Sequence, residues 1–320
     1  MKIVRELLEG QPVDFEEAAL SCFHYQLENN ALYRQWCQGI GRTKPKSLSE
    51  IPFLPVELFR NHTVVSAPPP YQLSFMSSGT TSTARSRHFV KSTDWYKKSF
   101  LTTFMHFYGS PARYRLICLL PSYAPESSLI YMCSELIRAS KHPDSGFYLE
   151  DPERMHEILH KEDNQRTTLL LGVTHALLDL AEQTTLNHEH LIVMETGGMK
   201  GRRKEMVRAE VHRILQQAFG VAAVHSEYGM TELLSQAYSS GMGLFTCPPW
   251  MKVISRDAED PFELLESGQR GLLNIIDLAN IDSCCFIATQ DTGLVHSDGR
   301  FEVTGRSDNS DIRGCNLLLQ

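Results

Sequence analysis

Short apolar runs alternate with amphipathic segments along the middle of the chain. The pattern predicts strands over residues 115–120, 168–173 and 191–195, and helices over residues 127–140, 175–183 and 201–219. In the last of these helices, four apolar residues recur at every fourth position and form one face: Val207, Val211, Leu215 and Phe219. Short buried strands that alternate with helices are typical of a largely parallel sheet, so we expect an α/β fold.

The two ends of the chain differ from this middle part. The first 60 residues are predicted to be helical, with Asp14 as an N-cap. The last third shows short strands separated by turns, over residues 272–277, 284–289, 293–296 and 300–303. We therefore expect an N-terminal helical segment (1–70) packed on an α/β core (71–320). That core would carry an antiparallel, barrel-like annex from about residue 245, all within one compact unit.

Composition narrows the class of protein. The 320 residues are 42% hydrophobic and 22% charged, as in ordinary globular proteins. A net charge of −7 without a long basic run argues against nucleic acid as a partner. No apolar run approaches the roughly 20 residues of a membrane span, and the acidic N-terminus does not resemble a signal peptide. Eight cysteines without a CxxC pair, and 13 histidines without paired ligand spacing, indicate reduced thiols in the cytoplasm and no transition-metal site.

A hydroxyl-rich loop follows the apolar stretch at residues 71–76. Gly79 permits backbone angles at which successive N–H groups point toward one anion. Arg85 adds a planar cation at the end of the loop. The hydroxyl groups that add donors belong to Ser77, Ser78, Thr80 and Thr81. The loop is a candidate cradle for nucleotide phosphates, although it lacks Walker A spacing, and an exposed Ser/Thr linker is the alternative.

A second segment, Ser-Glu-Tyr-Gly-Met-Thr-Glu, ends at Glu232. The Tyr228 ring is able to stack on a purine, and Gly229 permits a tight turn. Thr231 is a candidate donor to a phosphate, and Glu232 is a candidate ligand of Mg²⁺, which prefers carboxylate, water and phosphate oxygens. Taken alone, the segment also fits a helix N-terminus capped by Thr231.

A third pair of motifs lies near the C-terminus, at residues 289–293 (TQDTG) and 305–308 (GRSD). Asp291 is a candidate acceptor for two ribose hydroxyls. Arg306 is a candidate for contact with the same sugar or with a phosphate. The alternative is turn chemistry, in which Asp291 and Gly293 close a hairpin.

These three motifs, in this order, resemble those of the acyl-adenylate-forming (ANL) superfamily, which activates carboxylates with ATP. The resemblance implies that the first loop holds the ATP phosphates, where Arg85 replaces the usual lysine. It assigns adenine, phosphate and Mg²⁺ to the segment from Tyr228 to Glu232, and ribose to Asp291. It also implies that Gly197 and Gly198 form the turn beside adenine.

A narrower resemblance rests on segments at 30–35, 51–55, 248–250 (Pro-Pro-Trp) and 313–315 (Arg-Gly-Cys), and it spans about residues 25 to 320. These are similar to the acyl-protein synthetase (LuxE-like) family. The resemblance implies that a fatty or other carboxylic acid is activated, transferred to Cys315, and passed to a partner protein such as an acyl reductase. It also implies that the superfamily's mobile C-terminal lid is absent.

The residues themselves leave alternatives open. Arg313 beside Cys315 would lower the pKa of that thiol, yet an inert cysteine in a short apolar strand is also consistent. A ligase that charges coenzyme A or a carrier protein, and a non-catalytic nucleotide-binding subunit of a reductase complex, are the rival functions. His88, His175 and Lys200 are weaker candidates for site residues.

Overall fold

The computed structural model describes residues 2–78, 85–161, 163, 165–197 and 206–307. The helices within these ranges are α1 (Lys2–Leu8), α2 (Phe15–Asn29), α3 (Ala31–Gly39), α4 (Leu58–Asn61), α5 (Thr93–Tyr108), α6 (Ser128–Ser140), α7 (Pro152–His160), α8 (Thr174–Gln183) and α9 (Arg208–Phe219). The strands are β1 (Leu54–Pro55), β2 (Leu73–Met76), β3 (Arg87–Val90), β4 (Tyr114–Leu119), β5 (Gly146–Phe147), β6 (Thr167–Val173), β7 (Leu191–Thr196), β8 (Val224–Tyr228), β9 (Ala237–Ser239), β10 (Leu244–Phe245), β11 (Met251–Arg256), β12 (Arg270–Asp277), β13 (Phe286–Val295) and β14 (Phe301–Arg306).

The described residues fall into two compact units. The first unit takes its residues from Met1–Phe100, Met230–Ser235 and Thr246–Gln320. The second takes its residues from Leu101–Gly229 and Gln236–Phe245. The chain passes from the second unit to the first between Gly229 and Met230, inside the motif that ends at Glu232.

The second unit contains a sheet with the strand order β5-β4-β6-β7-β8-β9. All neighbouring strands are parallel except β9, which runs antiparallel to β8. Every residue of β4 is buried, as expected for a strand in the interior of a parallel sheet. The sequence prediction of an α/β fold with a largely parallel sheet is confirmed.

The predicted helix over residues 201–219 is shorter in the structure. It begins at Arg208, and Val207 precedes it in an extended conformation with 72% of its surface exposed. Residues 201–205 lie outside the described ranges. Val211, Leu215 and Phe219 form the buried face as predicted. The prediction was wrong for Val207, because an exposed valine happened to continue the four-residue spacing.

The first unit contains a curled antiparallel sheet in which β11, β12, β13 and β14 follow one another, with β1 pairing parallel to β13. This sheet confirms the predicted annex. The strands predicted over residues 284–289 and 293–296 are one strand, β13, so the hairpin turn considered at Asp291 is absent. Pairing with both β12 and β14 keeps the chain extended there. The turn at residues 297–299 is present, where His296 N–H donates to Arg300 O at 2.8 Å.

The buried amide of Gln26 joins helix α2 to the chain between β12 and β13 of the same unit. Asp14 caps the helix, as predicted, by accepting a hydrogen bond from Glu17 N–H at 2.8 Å. Farther along, Gln26 Nε2 donates to the carbonyl of Ile281 at 3.1 Å, and Gln26 Oε1 accepts from Cys285 N–H at 2.9 Å. These bonds fix the segment between β12 and β13, which carries residues of the candidate site. Among the described residues, no helix is both long and apolar enough to cross a membrane.

Candidate functional site

The hydroxyl-rich loop is closed at its base by hydrogen bonds in the first unit. Ser77 N–H donates to Ser86 O, and Ser86 N–H donates to Ser77 Oγ, each at 3.0 Å. Arg85 Nε donates to Ser77 O at 2.5 Å, so the guanidinium is fixed against the loop's own backbone. Ser78 is exposed, while Gly79, Thr80 and Thr81 lie outside the described ranges. The structure therefore places Ser77 and Arg85 at the base of the predicted phosphate loop.

The segment from Thr231 to Ser235 is held by three buried polar side chains of the same unit. His88 Nδ1 lies 2.8 Å from Thr231 O, and Asn280 Nδ2 donates to Glu232 O at 2.7 Å. Asp277 accepts hydrogen bonds from the N–H groups of Leu234 and Ser235 at 2.8 and 2.9 Å. We call His88, Asp277 and Asn280 the clamp. The clamp fixes the backbone of Thr231 and Glu232 relative to β3, which follows the phosphate loop.

Within the clamp, His88 also contacts Asn280. Its Nε2 lies 3.0 Å from Asn280 Oδ1, and the orientation of the Asn280 amide is set because Nδ2 donates to both Glu232 O and Cys284 O. Both ring nitrogens of His88 thus face acceptor oxygens. Burial lowers the pKa of His88 to about 4, so the ring is neutral at pH 7 and one of the two contacts is made without a proton.

Glu232 lies beside the base of the loop and is 5% exposed. Burial raises the pKa of its carboxyl group, while a hydrogen bond with Ser86 and the charges of Arg306 and Arg60 oppose that rise. A nearby cation would favour the charged form of this carboxyl group.

Asp291 and Arg306 are brought together on neighbouring strands. They are register partners in β13 and β14, and Arg306 Nε lies 3.9 Å from Asp291 Oδ1. Asp291 belongs to a bulge, because residues 289–291 of β13 face the single residue Leu273 of β12. Bulges re-aim side chains and are frequent beside active sites. Arg306 thus interacts electrostatically with both Asp291 and Glu232.

The second unit collects polar groups at the carboxyl ends of β6, β7 and β8. Gly197 follows β7 with a φ of 68°, and Thr174 Oγ1 donates to its carbonyl at 2.6 Å. The hydroxyl of Thr196 donates to the carboxylate of Glu227 on β8. Burial raises the pKa of Glu227 to about 7, against the effect of that hydrogen bond. The carboxyl edge of a parallel sheet is where α/β proteins bind ligands.

Glu195 lies at the same edge with a different charge state. Burial acts to raise the pKa of its carboxyl group, but His212, whose Nε2 lies 3.7 Å from Glu195 Oε1, and the charge of Arg208 outweigh burial and hold that pKa below its ordinary value. Arg208 Nε lies 3.3 Å from Glu195 Oε1. The surroundings therefore give these two neighbouring buried carboxyl groups different pKa values: that of Glu195 lies below the ordinary value, and that of Glu227 lies above it.

Tyr228 and Gly229 end the second unit's part of the motif. The Tyr228 ring is buried against Phe245, with ring centroids 5.8 Å apart. Gly229 is exposed, and a Cβ atom there would lie 2.6 Å from Glu227 Oε1. A side chain at this position would therefore require the buried Glu227 carboxylate to move.

Four of the predicted candidates are not among the groups described above. Gly198, Lys200 and Cys315 lie outside the described ranges, and His175 is buried in α8. Sequence reasoning missed four buried polar residues: Glu195, Glu227, Asp277 and Asn280. Each lies at or just beyond the end of a predicted strand or beside a recognised motif. A polar residue at the end of an apolar run was the available signal.

The described residues contain no group of three or more His, Cys, Asp or Glu side chains that would hold a metal ion on its own. A Mg²⁺ ion that accompanies a nucleotide needs less, since phosphate oxygens and waters complete its shell. Glu232, with the hydroxyl of Ser86 beside it, offers oxygen ligands of the kind that Mg²⁺ prefers. The donor set fits such an ion.

Comparison with known proteins agrees with this picture of the fold. The chain is 23% identical to the long-chain-fatty-acid–luciferin-component ligase of Vibrio harveyi over 93% of this chain and 85% of that protein. No protein-family model matches the chain.

Solved structures share the fold at low sequence identity. ATP-bound MatB from Rhodopseudomonas palustris superposes with a TM-score of 0.56 at 19% identity, over 73% of this chain and 47% of that chain. A 2-hydroxyisobutyryl-CoA ligase, in complex with 2-HIB-AMP and CoA, gives a TM-score of 0.64 at 15% identity, over 91% and 68%. This chain spans about half the length of MatB and of two MatB chimeras that share the fold. The fold is that of ANL adenylation domains, and the predicted resemblance to that superfamily and to the LuxE-like ligase is confirmed.

Proposed function

We propose that this protein activates a carboxylic acid with ATP. The acid's carboxylate oxygen attacks the α-phosphorus of ATP, the bond to the β-phosphate oxygen breaks, and acyl-adenylate and pyrophosphate result. The observation that carries the proposal is the clamp, which fixes Thr231 and Glu232 close to the base of the hydroxyl-rich loop. The fold and the similarity to a fatty-acid ligase support it.

Each candidate residue has a role in this reaction. Arg85 and the loop hold the phosphates, and Asp291 with Arg306 holds the ribose. Glu232 is the residue that would hold Mg²⁺, which offsets negative charge on the phosphates when bound. Thr231 donates to a phosphate oxygen. The remaining assigned residues are those of the phosphate loop (Ser77, Ser78, Gly79, Thr80, Thr81) and those beside adenine (Gly197, Gly198, Tyr228, Gly229).

The acyl acceptor that we propose is Cys315. The seven other cysteines are free thiols, six of them buried and Cys247 partly exposed. Burial raises the pKa of Cys247, and it raises the pKa of Cys37 and Cys284 to about 12, so these three thiols are poor nucleophiles at pH 7. Thiolate attack on the acyl carbonyl would expel AMP and leave a thioester on Cys315. The free thiols also support a cytoplasmic location.

We further propose that a fatty acid is the substrate and that a partner protein, such as an acyl reductase, receives the acyl group. The similarity to the Vibrio harveyi ligase supports this choice. The first experiment is ATP–pyrophosphate exchange with carboxylic acids of increasing chain length. Exchange that depends on a long-chain acid is expected, and exchange independent of any acid would refute the proposal.

The acceptor is tested by labelling with a radioactive acid. We expect a hydroxylamine-labile acyl-protein that is lost in Cys315→Ser and kept in the matched control Cys247→Ser. Acylation that survives Cys315→Ser would exclude that thiol. Release of AMP that requires added coenzyme A, with Cys315→Ser fully active, would establish instead the rival function of a coenzyme A ligase.

A further inference from the structure

The first unit contains a cavity away from the residues assigned to the nucleotide. It has a volume of about 180 Å³ and lies between the chain around α3 and β1 and the strands β11 to β13. Trp36, Phe53, Phe262 and Leu272 supply much of its apolar lining. None of the described residues assigned above to ATP lines this cavity. An apolar cavity of about 150 Å³ is large enough to bind benzene, so this one accommodates a substituted aromatic ring.

The polar feature of the cavity is Asn274. This residue is 1% exposed, and neither its Nδ2 nor its Oδ1 has a hydrogen-bond partner within the part of the chain that the structure describes. It lies in β12 opposite Ala288 of β13, whose small side chain also lines the cavity. Asparagine is disfavoured in strands, and a buried amide without partners is destabilising. Such a departure from local preference is expected at functional positions.

The charges around the cavity favour a neutral ligand. Arg42 and Arg256 line it, and Glu57 and Glu259 balance their charge. Arg256 is already engaged, since its Nη2 donates to Thr289 O at 2.9 Å. On the exposed side, the Arg42 guanidinium lies 4.6 Å from the centroid of the Phe262 ring. The cavity thus combines flat apolar walls, balanced charge and one amide that offers a donor and an acceptor side by side.

We propose that this cavity binds a small neutral aromatic molecule that carries a primary carboxamide or a lactam. Such a group has a carbonyl oxygen that accepts from Asn274 Nδ2 and an N–H that donates to Asn274 Oδ1. A carboxylate satisfies one of these two atoms and places an oxygen against the other. A hydrocarbon satisfies neither.

The test uses the full-length protein and three probes of similar size: benzamide, benzoate and toluene. The indole N–H of Trp36, which donates to Phe53 O at 3.1 Å, reports on the cavity by NMR. The indole of Trp250, bonded to Ser235 Oγ, serves as an internal control. We expect benzamide to shift the Trp36 signal saturably and to bind at least about tenfold more tightly than the other two probes, or about 1.4 kcal/mol.

Variants then assign the binding to the amide. Asn274→Leu should weaken benzamide binding by about tenfold or more. Ser255→Ala is the matched control, because the Ser255 hydroxyl is also buried without a partner among the described residues but does not line the cavity. The proposal is overturned if no probe moves the Trp36 signal. Benzoate or toluene binding as well as benzamide would overturn it equally, and this series on the unaltered protein does not depend on how any variant folds.

Discussion

The hydrogen bonds of the clamp predict how much stability the protein loses when Asn280 is replaced, and Asn274, six residues earlier, serves as the comparison. Asn280 is completely buried and makes three contacts, to Glu232 O, Cys284 O and His88 Nε2. Asn274 is equally buried but has no hydrogen-bond partner within the described residues. Alanine at either position removes the same atoms. The two substitutions therefore differ mainly in the hydrogen bonds that they break.

For Asn280→Ala, the buried carbonyl groups of Glu232 and Cys284 lose their donor. At about 1–3 kcal/mol for each buried polar group left unsatisfied, these two groups give a loss of about 2–6 kcal/mol. That is a large part of the roughly 5–15 kcal/mol by which domains are stable. Asn274→Ala should change the free energy of unfolding by about 1 kcal/mol or less, because no hydrogen bond is lost.

Urea unfolding followed by tryptophan fluorescence measures this difference. All three tryptophans, Trp36, Trp95 and Trp250, lie in the first unit, so the signal reports on the unit that contains both asparagines. The expected gap between the two variants is about 1 kcal/mol or more. Equal losses for Asn274→Ala and Asn280→Ala, or a loss below about 1 kcal/mol for Asn280→Ala, would refute the account of the clamp.

Two further predictions concern pH. The folded-state pKa of His88 lies at about 4, below its ordinary value of 6.5, so its unfolded form binds the proton first. Its contribution is present above pH 6.5 and is lost as the pH falls toward 4, by about 3 kcal/mol at about 1.4 kcal/mol per pH unit. In His88→Gln, this part of the pH dependence of unfolding should disappear. Glu227 acts in the opposite sense, since its pKa is raised to about 7 from 4.5. Its contribution is full below pH 4.5 and falls by about 3 kcal/mol as the pH rises to 7, so Glu227→Gln should stabilise the second unit at pH 8. Circular dichroism melts of each variant across this range check both signs; an unchanged pH profile in either variant would contradict its prediction.

Local signals in the sequence predicted much of the fold. Asp14 gave the start of α2, and the apolar runs gave β4, β6 and β7 to within one residue at each end. These features depend on neighbouring residues alone. The same reasoning failed at β13, where Asp291 and Gly293 appeared to form a turn. Pairing with β12 and β14 overrides that local preference, and such pairing is a property of the tertiary structure.

The candidate site was predictable to the extent that its residues lie in short motifs. Glu232, Asp291 and Arg306 were found in this way, and the structure places them in the same region of the first unit. His88 and Asn280 are 192 residues apart in the chain, and neither belongs to a motif. Their role depends on a contact between distant segments, so one sequence does not reveal it. Asn274 is visible in the sequence as a polar residue inside an apolar strand, but only the structure shows that its side chain has no hydrogen-bond partner among the described residues.

The central claim is that Glu232 supports the activation of a carboxylic acid by ATP. The direct measurement is carboxylate-dependent ATP–pyrophosphate exchange by the unaltered protein, Glu232→Gln and the control Glu302→Gln. Glu302 lies in β14 of the same unit and pairs with His296 at the surface. We expect exchange in the unaltered protein, a loss of about a hundredfold or more in Glu232→Gln, and a rate within about twofold in Glu302→Gln. Full exchange in Glu232→Gln, or no carboxylate-dependent exchange in the unaltered protein, would contradict the account.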